Sequence, residues 1–114
     1  MASTLVIRRF SALATGAALQ RITLDAYPED EKIEWRNLMA RVQGDTCDLI
    51  EIGLTSGVSD YPLISYKTTD NSESVEIVGR IQGSGGYRIY AEFDDAAGGK
   101  MLELTACGVR IVEE

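Results

Sequence analysis

Histidine is absent from the 114 residues, and that absence removes every Ser-His, Cys-His or His-ligated metal mechanism. Cysteine is nearly absent. Cys47 and Cys107 are too few and too far apart for a disulfide framework or a paired-thiolate metal site, and both read as small core residues. Long apolar runs are missing, with nothing approaching the roughly 18 consecutive residues of a membrane span. No Asn-x-Ser/Thr acceptor occurs, so secretion has no support. Basic side chains are the minority, 11 against 18 acids, which gives a net charge of −7 and a pI near 4.5. Such a charge opposes docking on phosphate backbones or anionic lipid, so neither nucleic acid nor a membrane is an expected partner. With no activated group in view, the chain is expected not to be an enzyme and to carry no cofactor or metal.

What is present is a hydrophobic content of 45% in a chain of ordinary domain length, enough for one core. Residues 1–114 are therefore expected to form a single domain. From Leu49 onward the residues alternate with the period of two that half-buried strands require. Ile50, Ile52 and Leu54 oppose Glu51 and Thr55. Ile64 and Tyr66 oppose Leu63, Ser65 and Lys67, in a segment whose Pro62 suits an edge strand. Val75, Ile77, Gly79 and Ile81 oppose Glu76, Arg80 and Gln82, and Tyr87, Ile89, Ala91 and Phe93 oppose Arg88, Tyr90, Glu92 and Asp94. The glycines from Gly83 to Gly86 read as a hairpin loop, because a strand follows them where a phosphate cradle would need a helix. In the last segment Leu102, Leu104 and Ala106 lead to Gly108, where a one-residue bulge is expected to bring Val109 and Ile111 into phase.

Upstream, Leu5 to Leu13 and Leu19 to Leu24 are β-competent. Residues 28–42 admit two readings. Trp35, Leu38, Met39 and Val42 fall at i, i+3, i+4 and i+7, the stripe of an amphipathic helix, with Pro28, Glu29, Asp30 and Glu31 suiting its N-terminus and Gly44 its cap. The alternative is a turn at 28–31 and then a strand from Lys32 to Val42 with Ile33 and Trp35 inside and one irregularity before Leu38, Ala40 and Val42. Segments starting near 5, 19, 32, 49, 62, 75, 87 and 101 give about eight strands. The expected fold is all-β, a two-sheet antiparallel sandwich, jelly-roll-like, with one helix at 28–42 as the open variant.

Charge is distributed unevenly. Residues 1–24 carry Arg8, Arg9 and Arg21 and no acid, whereas the remainder sets 8 basic side chains against 18 acidic ones, a net −10. The basic start mimics an export signal, but Ser11, Thr15 and Gly16 dilute its apolar stretch, so it is expected to belong to the working domain as an N-terminal arm or first strand, a first β-hairpin being the plainer form. A basic, apolar arm on an acidic body suits docking on a protein shell, and Leu5, Val6, Ile7, Arg8, Arg9 and Phe10 are the expected contact residues. The acids at Asp45 and Asp48, Asp70 and Glu73, and Asp94 and Asp95 read as solvated turn residues without calcium-loop spacing. Tyr90 is expected outside, at an interface or, with Tyr61 or Tyr66, as a sugar-stacking platform.

The run from Tyr27 to Arg36, then a strand, Gly44 and Ile50-Glu51-Ile52-Gly53-Leu54 resembles small β-sandwich accessory proteins of tailed bacteriophage virions. So do Gly86 to Phe93, an Ala-Ala-Gly-Gly turn, and Leu102-Glu103-Leu104 before Gly108-Val109-Arg110-Ile111, which look like the last strands of capsid decoration (cement) proteins. The resemblance spans roughly residues 20–112. It implies a structural protein made in the host cytoplasm and carried on the capsid surface, binding the major capsid protein as a homotrimer. A carbohydrate-binding module, or an accessory part of the head-tail junction or tail, is the alternative.

Overall fold

The alternating segments become eight strands in the computed structural model, which describes residues 2–24, 32–70, 74–83 and 87–112. They are β1 (Ala2–Leu13), β2 (Leu19–Thr23), β3 (Lys32–Val42), β4 (Leu49–Thr55), β5 (Asp60–Tyr66), β6 (Val75–Gly83), β7 (Arg88–Asp94) and β8 (Met101–Val112). One four-stranded antiparallel sheet has the order β1-β8-β3-β6 and the other β2-β7-β4-β5. Consecutive strands alternate between the sheets everywhere except β4 and β5, which pair as a hairpin. That is the winding of a jelly roll.

Alternation supplies the core. Ile33, Trp35, Leu38, Ala40 and Val42 of β3, with Leu102, Leu104 and Ala106 of β8, point from the first sheet toward Ile22, Ile50, Ile52, Ile89, Ala91 and Phe93 of the second, and all are buried. At one end the two loops that cross between the sheets, after β1 and after β7, are bonded to each other: Ala14 N–H donates to the Lys100 carbonyl at 2.7 Å, and Asp95 N–H to that of Ala18 at 2.8 Å.

The strand reading holds over Lys32–Val42, and residues 28–31 lie outside the described residues. The helix-like stripe has a physical origin. Between Trp35 and Asn37 the register of β3 shifts against both neighbours: Arg36 is an extra residue relative to β8, and β6 sets Gly79 and Arg80 against it. The extra residue lets Trp35 and Leu38 both face the core three positions apart. Met39, a member of the apparent helical stripe, is on the outer face and only half-buried.

Three further expectations are corrected. β1 and β2 do not form a hairpin, since they lie in opposite sheets, and the basic arm is a strand paired along its whole length with β8. The glycine-rich connection after β6 crosses between sheets instead of closing a hairpin, and its residues 84–86 lie outside the described residues. β8 takes in no extra residue at Gly108: β1 pairs continuously through it, keeping Val109 on the outer face beside Cys107, and the bulge at this level is in β3 opposite. Glycine is needed there for room, because a Cβ would stand 2.5 Å from the Glu34 carbonyl oxygen and 2.9 Å from the Trp35 ring. Cys47 is buried as expected, but Cys107 is only half-covered.

A Gly108→Ala variant is therefore expected to lose about 1–3 kcal/mol through overpacking against Trp35. Gly79→Ala, where nothing lies within 4 Å of the added carbon, should stay within about 0.5 kcal/mol of the parent. Urea denaturation of both variants checks the contrast.

Candidate functional site

Two surfaces carry the residues of interest, one on each sheet. The first is β1. Its register places Leu5 beside Val109 and Ile7 beside Cys107 on the outer face, while Val6 and Phe10 lie on the side of Gly108 and Leu104. Leu5 is 70% exposed and Ile7 59%, Arg8, Arg9 and Phe10 are also exposed, and Val6 is half-buried against the core. β1 ends the sheet order, so its second backbone edge has no strand beside it among the described residues. Twelve residues without glycine, proline or acid make an unusually open edge, since natural sheets blunt such edges with charge, proline or bulges. Arg8 and Arg9 are its only charges.

The second surface is the outer face of β2-β7-β4-β5, where alternation lines up Arg21, Glu92, Glu51 and Ser65 in one row and Thr23, Tyr90, Gly53 and Pro62 in the next. Arg21 leaves its row and crosses the sheet. Its Nη atoms grip both carboxylate oxygens of Asp60 at 3.1 and 2.7 Å, its Nε donates to Glu92 at 2.8 Å, and its guanidinium carbon lies 4.1 Å from the centroid of the Tyr90 ring. Bidentate pairing and stacking together use the planar fork fully. The Tyr90 hydroxyl donates to Glu51 at 2.8 Å, and Ser65 donates to the other Glu51 oxygen at 3.3 Å.

Tyr90 is thus on the outer face, as alternation requires, but it is 0% exposed. Its expected role as a displayed contact or stacking residue is corrected: Arg21 covers the ring, and the ring lies on Gly53, where a Cβ would meet the Tyr90 hydroxyl at 2.7 Å. Burial, then the Glu51 bond, raises its hydroxyl above the ordinary tyrosine range. Tyr61 and Tyr66 remain half-exposed on edge strand β5, Tyr61 with its ring 6.0 Å from that of Tyr87. The network of Arg21, Glu51, Asp60 and Glu92 was not singled out in the sequence, although period-two alternation already puts Arg21, Glu51 and Glu92 on outward positions.

Beside this network, at the β4–β5 end, a cleft of about 500 Å³ opens between Arg21, Thr23, Asp60 and Arg88. Its far wall is the connecting turn, which is internally bonded: Ser56 N–H donates to the Ser59 carbonyl at 3.0 Å, Ser59 N–H to Ser56 Oγ at 3.1 Å, and Gly57 N–H to Thr55 Oγ1 at 3.1 Å. Elsewhere, burial pushes the Cys47 thiol up to about 11, which leaves little thiolate at neutral pH. Among the described residues no three His, Cys, Asp or Glu side chains converge in a way that would hold a metal ion, and Glu73 lies outside them. No family model matches the chain, and no curated protein or solved structure matches it.

Hydrogen bonding from Arg21, then from Thr55, lowers the Asp60 carboxyl to about 2, below the usual carboxylate range. A carboxylate held lower in the folded than in the unfolded chain stabilises the fold above the unfolded value and stops doing so as pH falls toward the folded one. The melting temperature is expected to drop between about pH 4 and pH 2. Asp60→Asn should be less stable at pH 5 yet show a flatter profile across that window, as thermal melts at stepped pH would reveal.

Proposed function

We propose that the protein is a non-enzymatic attachment protein that binds the outside of an assembled capsid through β1 and stiffens the shell, as the decoration proteins of tailed bacteriophages that it resembles do. The observation that carries this reading is the edge of β1: an open strand with Leu5, Ile7 and Phe10 exposed and Arg8 and Arg9 between them. Unsatisfied main-chain groups, apolar side chains and positive charge together suit a strand-to-strand contact with an acidic or neutral protein edge. The rest of the chain outside β1 sets 9 basic against 18 acidic side chains, a net −9, and would face solvent and keep a heavily decorated particle soluble.

Many weak contacts suffice for this role. A protein that binds the assembled shell and not its unfolded subunits stabilises it by mass action. The partner in this reading is the major capsid protein, and three copies closing around a shell three-fold axis would cover each other's edges, because cyclic symmetry closes where head-to-tail pairing in a line would not. A place at the head-tail junction or in the tail would use the same edge.

Removing residues 2–9 is not a clean test, since it would also strip β8 of its neighbour. Outward substitutions serve better. Purified protein added to undecorated capsids is expected to bind saturably and raise their melting temperature, and the Ile7→Thr/Arg9→Glu double variant should bind at least about tenfold more weakly with an unchanged fold by circular dichroism. No saturable binding by the parent protein would overturn the proposal. Monomeric protein on the capsid, seen by cryo-electron microscopy, would overturn the trimer.

A further inference from the structure

The cleft at the β4–β5 end is a place of local positive charge on an acidic chain. Its charged lining is Arg21, Arg88 and Asp60; Arg21 is offset by Asp60 and by Glu92 beside it, so the positive charge the cleft offers is that of Arg88, on a protein of net −7. The two arginines are in different states. Arg21 has its fork committed to Asp60 and Glu92 and its face to Tyr90. Arg88, opposite Thr55 in the register of β7 with β4, is exposed and makes no ion pair or side-chain hydrogen bond among the described residues. An unsatisfied guanidinium at the mouth of a cleft suits a carboxylate, which can take two of its N–H groups at once.

The rest of the lining is hydroxylic. The hydroxyls of Thr55 and Ser56 are taken up within the turn, so the Thr23 hydroxyl and the lone pairs that Arg21 leaves on the Asp60 carboxylate are what the lining offers beside Arg88. Alternating donors and acceptors of this kind match a polyol. Val58, 95% exposed at the rim, is the apolar side chain of the lining. The volume of about 500 Å³ is within the range of small-molecule sites. The walls are held before any ligand arrives, on one side by the Arg21–Asp60 pair and on the other by the bonded turn from Ser56 to Ser59.

We propose that this cleft binds a sugar acid of the hexuronate class, its carboxylate on Arg88 and its hydroxyls on Thr23 and Asp60. The site is in the sheet opposite β1, so it stands whether or not β1 attaches the protein to a capsid. It differs from a stacking platform, because Tyr90 is covered and the recognition is through charge and hydroxyls.

The test is a titration of isotope-labelled full-length protein, followed by amide chemical shifts at fixed pH and ionic strength. The probes are glucuronate, galacturonate, glucose, galactose and acetate. At least one of the two uronates is expected to give saturable shifts at Thr23, Thr55 to Val58 and Arg88, with the neutral sugars and acetate at least about tenfold weaker. Arg88→Gln should keep the fold and lose that preference for the uronate, while Arg88→Lys should retain part of it. Equal response to acetate would reduce the site to an anion contact and overturn the proposal. So would equal response to neutral sugar, an unchanged affinity in Arg88→Gln, or no saturable shift with either uronate.

Discussion

The contact between the Trp35 ring and the bare backbone of Gly108 governs the first sheet. Trp35 is the largest fully buried side chain, and it reaches the core only because the facing residue on β8 has no Cβ. The same point is where β3 takes in the extra residue Arg36. Without that insertion, a strand that buries Ile33 and Trp35 would turn Leu38, Ala40 and Val42 to solvent. β3 is the inner strand between β8 and β6, so its phase sets theirs, and with theirs the face that β1 presents.

The second sheet depends on an interaction of another kind. Its core side is apolar, but its outer face is organised by one arginine that spans from β2 to β5 over a tyrosine ring. Ion pairs on a surface contribute little when isolated. Here the same guanidinium is shared by two carboxylates and a ring, so ordering it once serves every partner. The arrangement requires Gly53 beneath Tyr90, which makes a glycine inside a strand necessary in this sheet as Gly108 is in the other. In both places a missing side chain admits a large aromatic one.

These two halves leave different surfaces open. The β1 edge is apolar and basic and has main-chain groups to offer, so it suits another polypeptide. The cleft beside Arg88 is small, polar and walled by held groups, and a ligand with its own hydroxyls and charge suits it better than a protein surface does.

Strand positions were legible in the sequence because alternation is local: the inward residues of β4, β7 and β8 follow from period two, and Pro62 marks an edge strand. Even the bulge in β3 was visible, as one of two readings of residues 32–42. Pairing was not legible. That β6 and β7 lie in opposite sheets, or that β1 lies beside β8, depends on contacts between residues far apart in the chain, which turn residues such as Gly83 do not report. The same limit explains Tyr90 and Gly108. Alternation puts the tyrosine outside, but only the assembled sheet brings Arg21 over it, and only the neighbouring strand decides that the glycine makes room for Trp35 and that the extra residue at this level is Arg36 of β3 and not one of β8. The sequence determined which residues extend and which way each side chain leaves its strand; tertiary structure decided what lies beside and above them, because neighbours across a sheet are set by the winding of the whole chain.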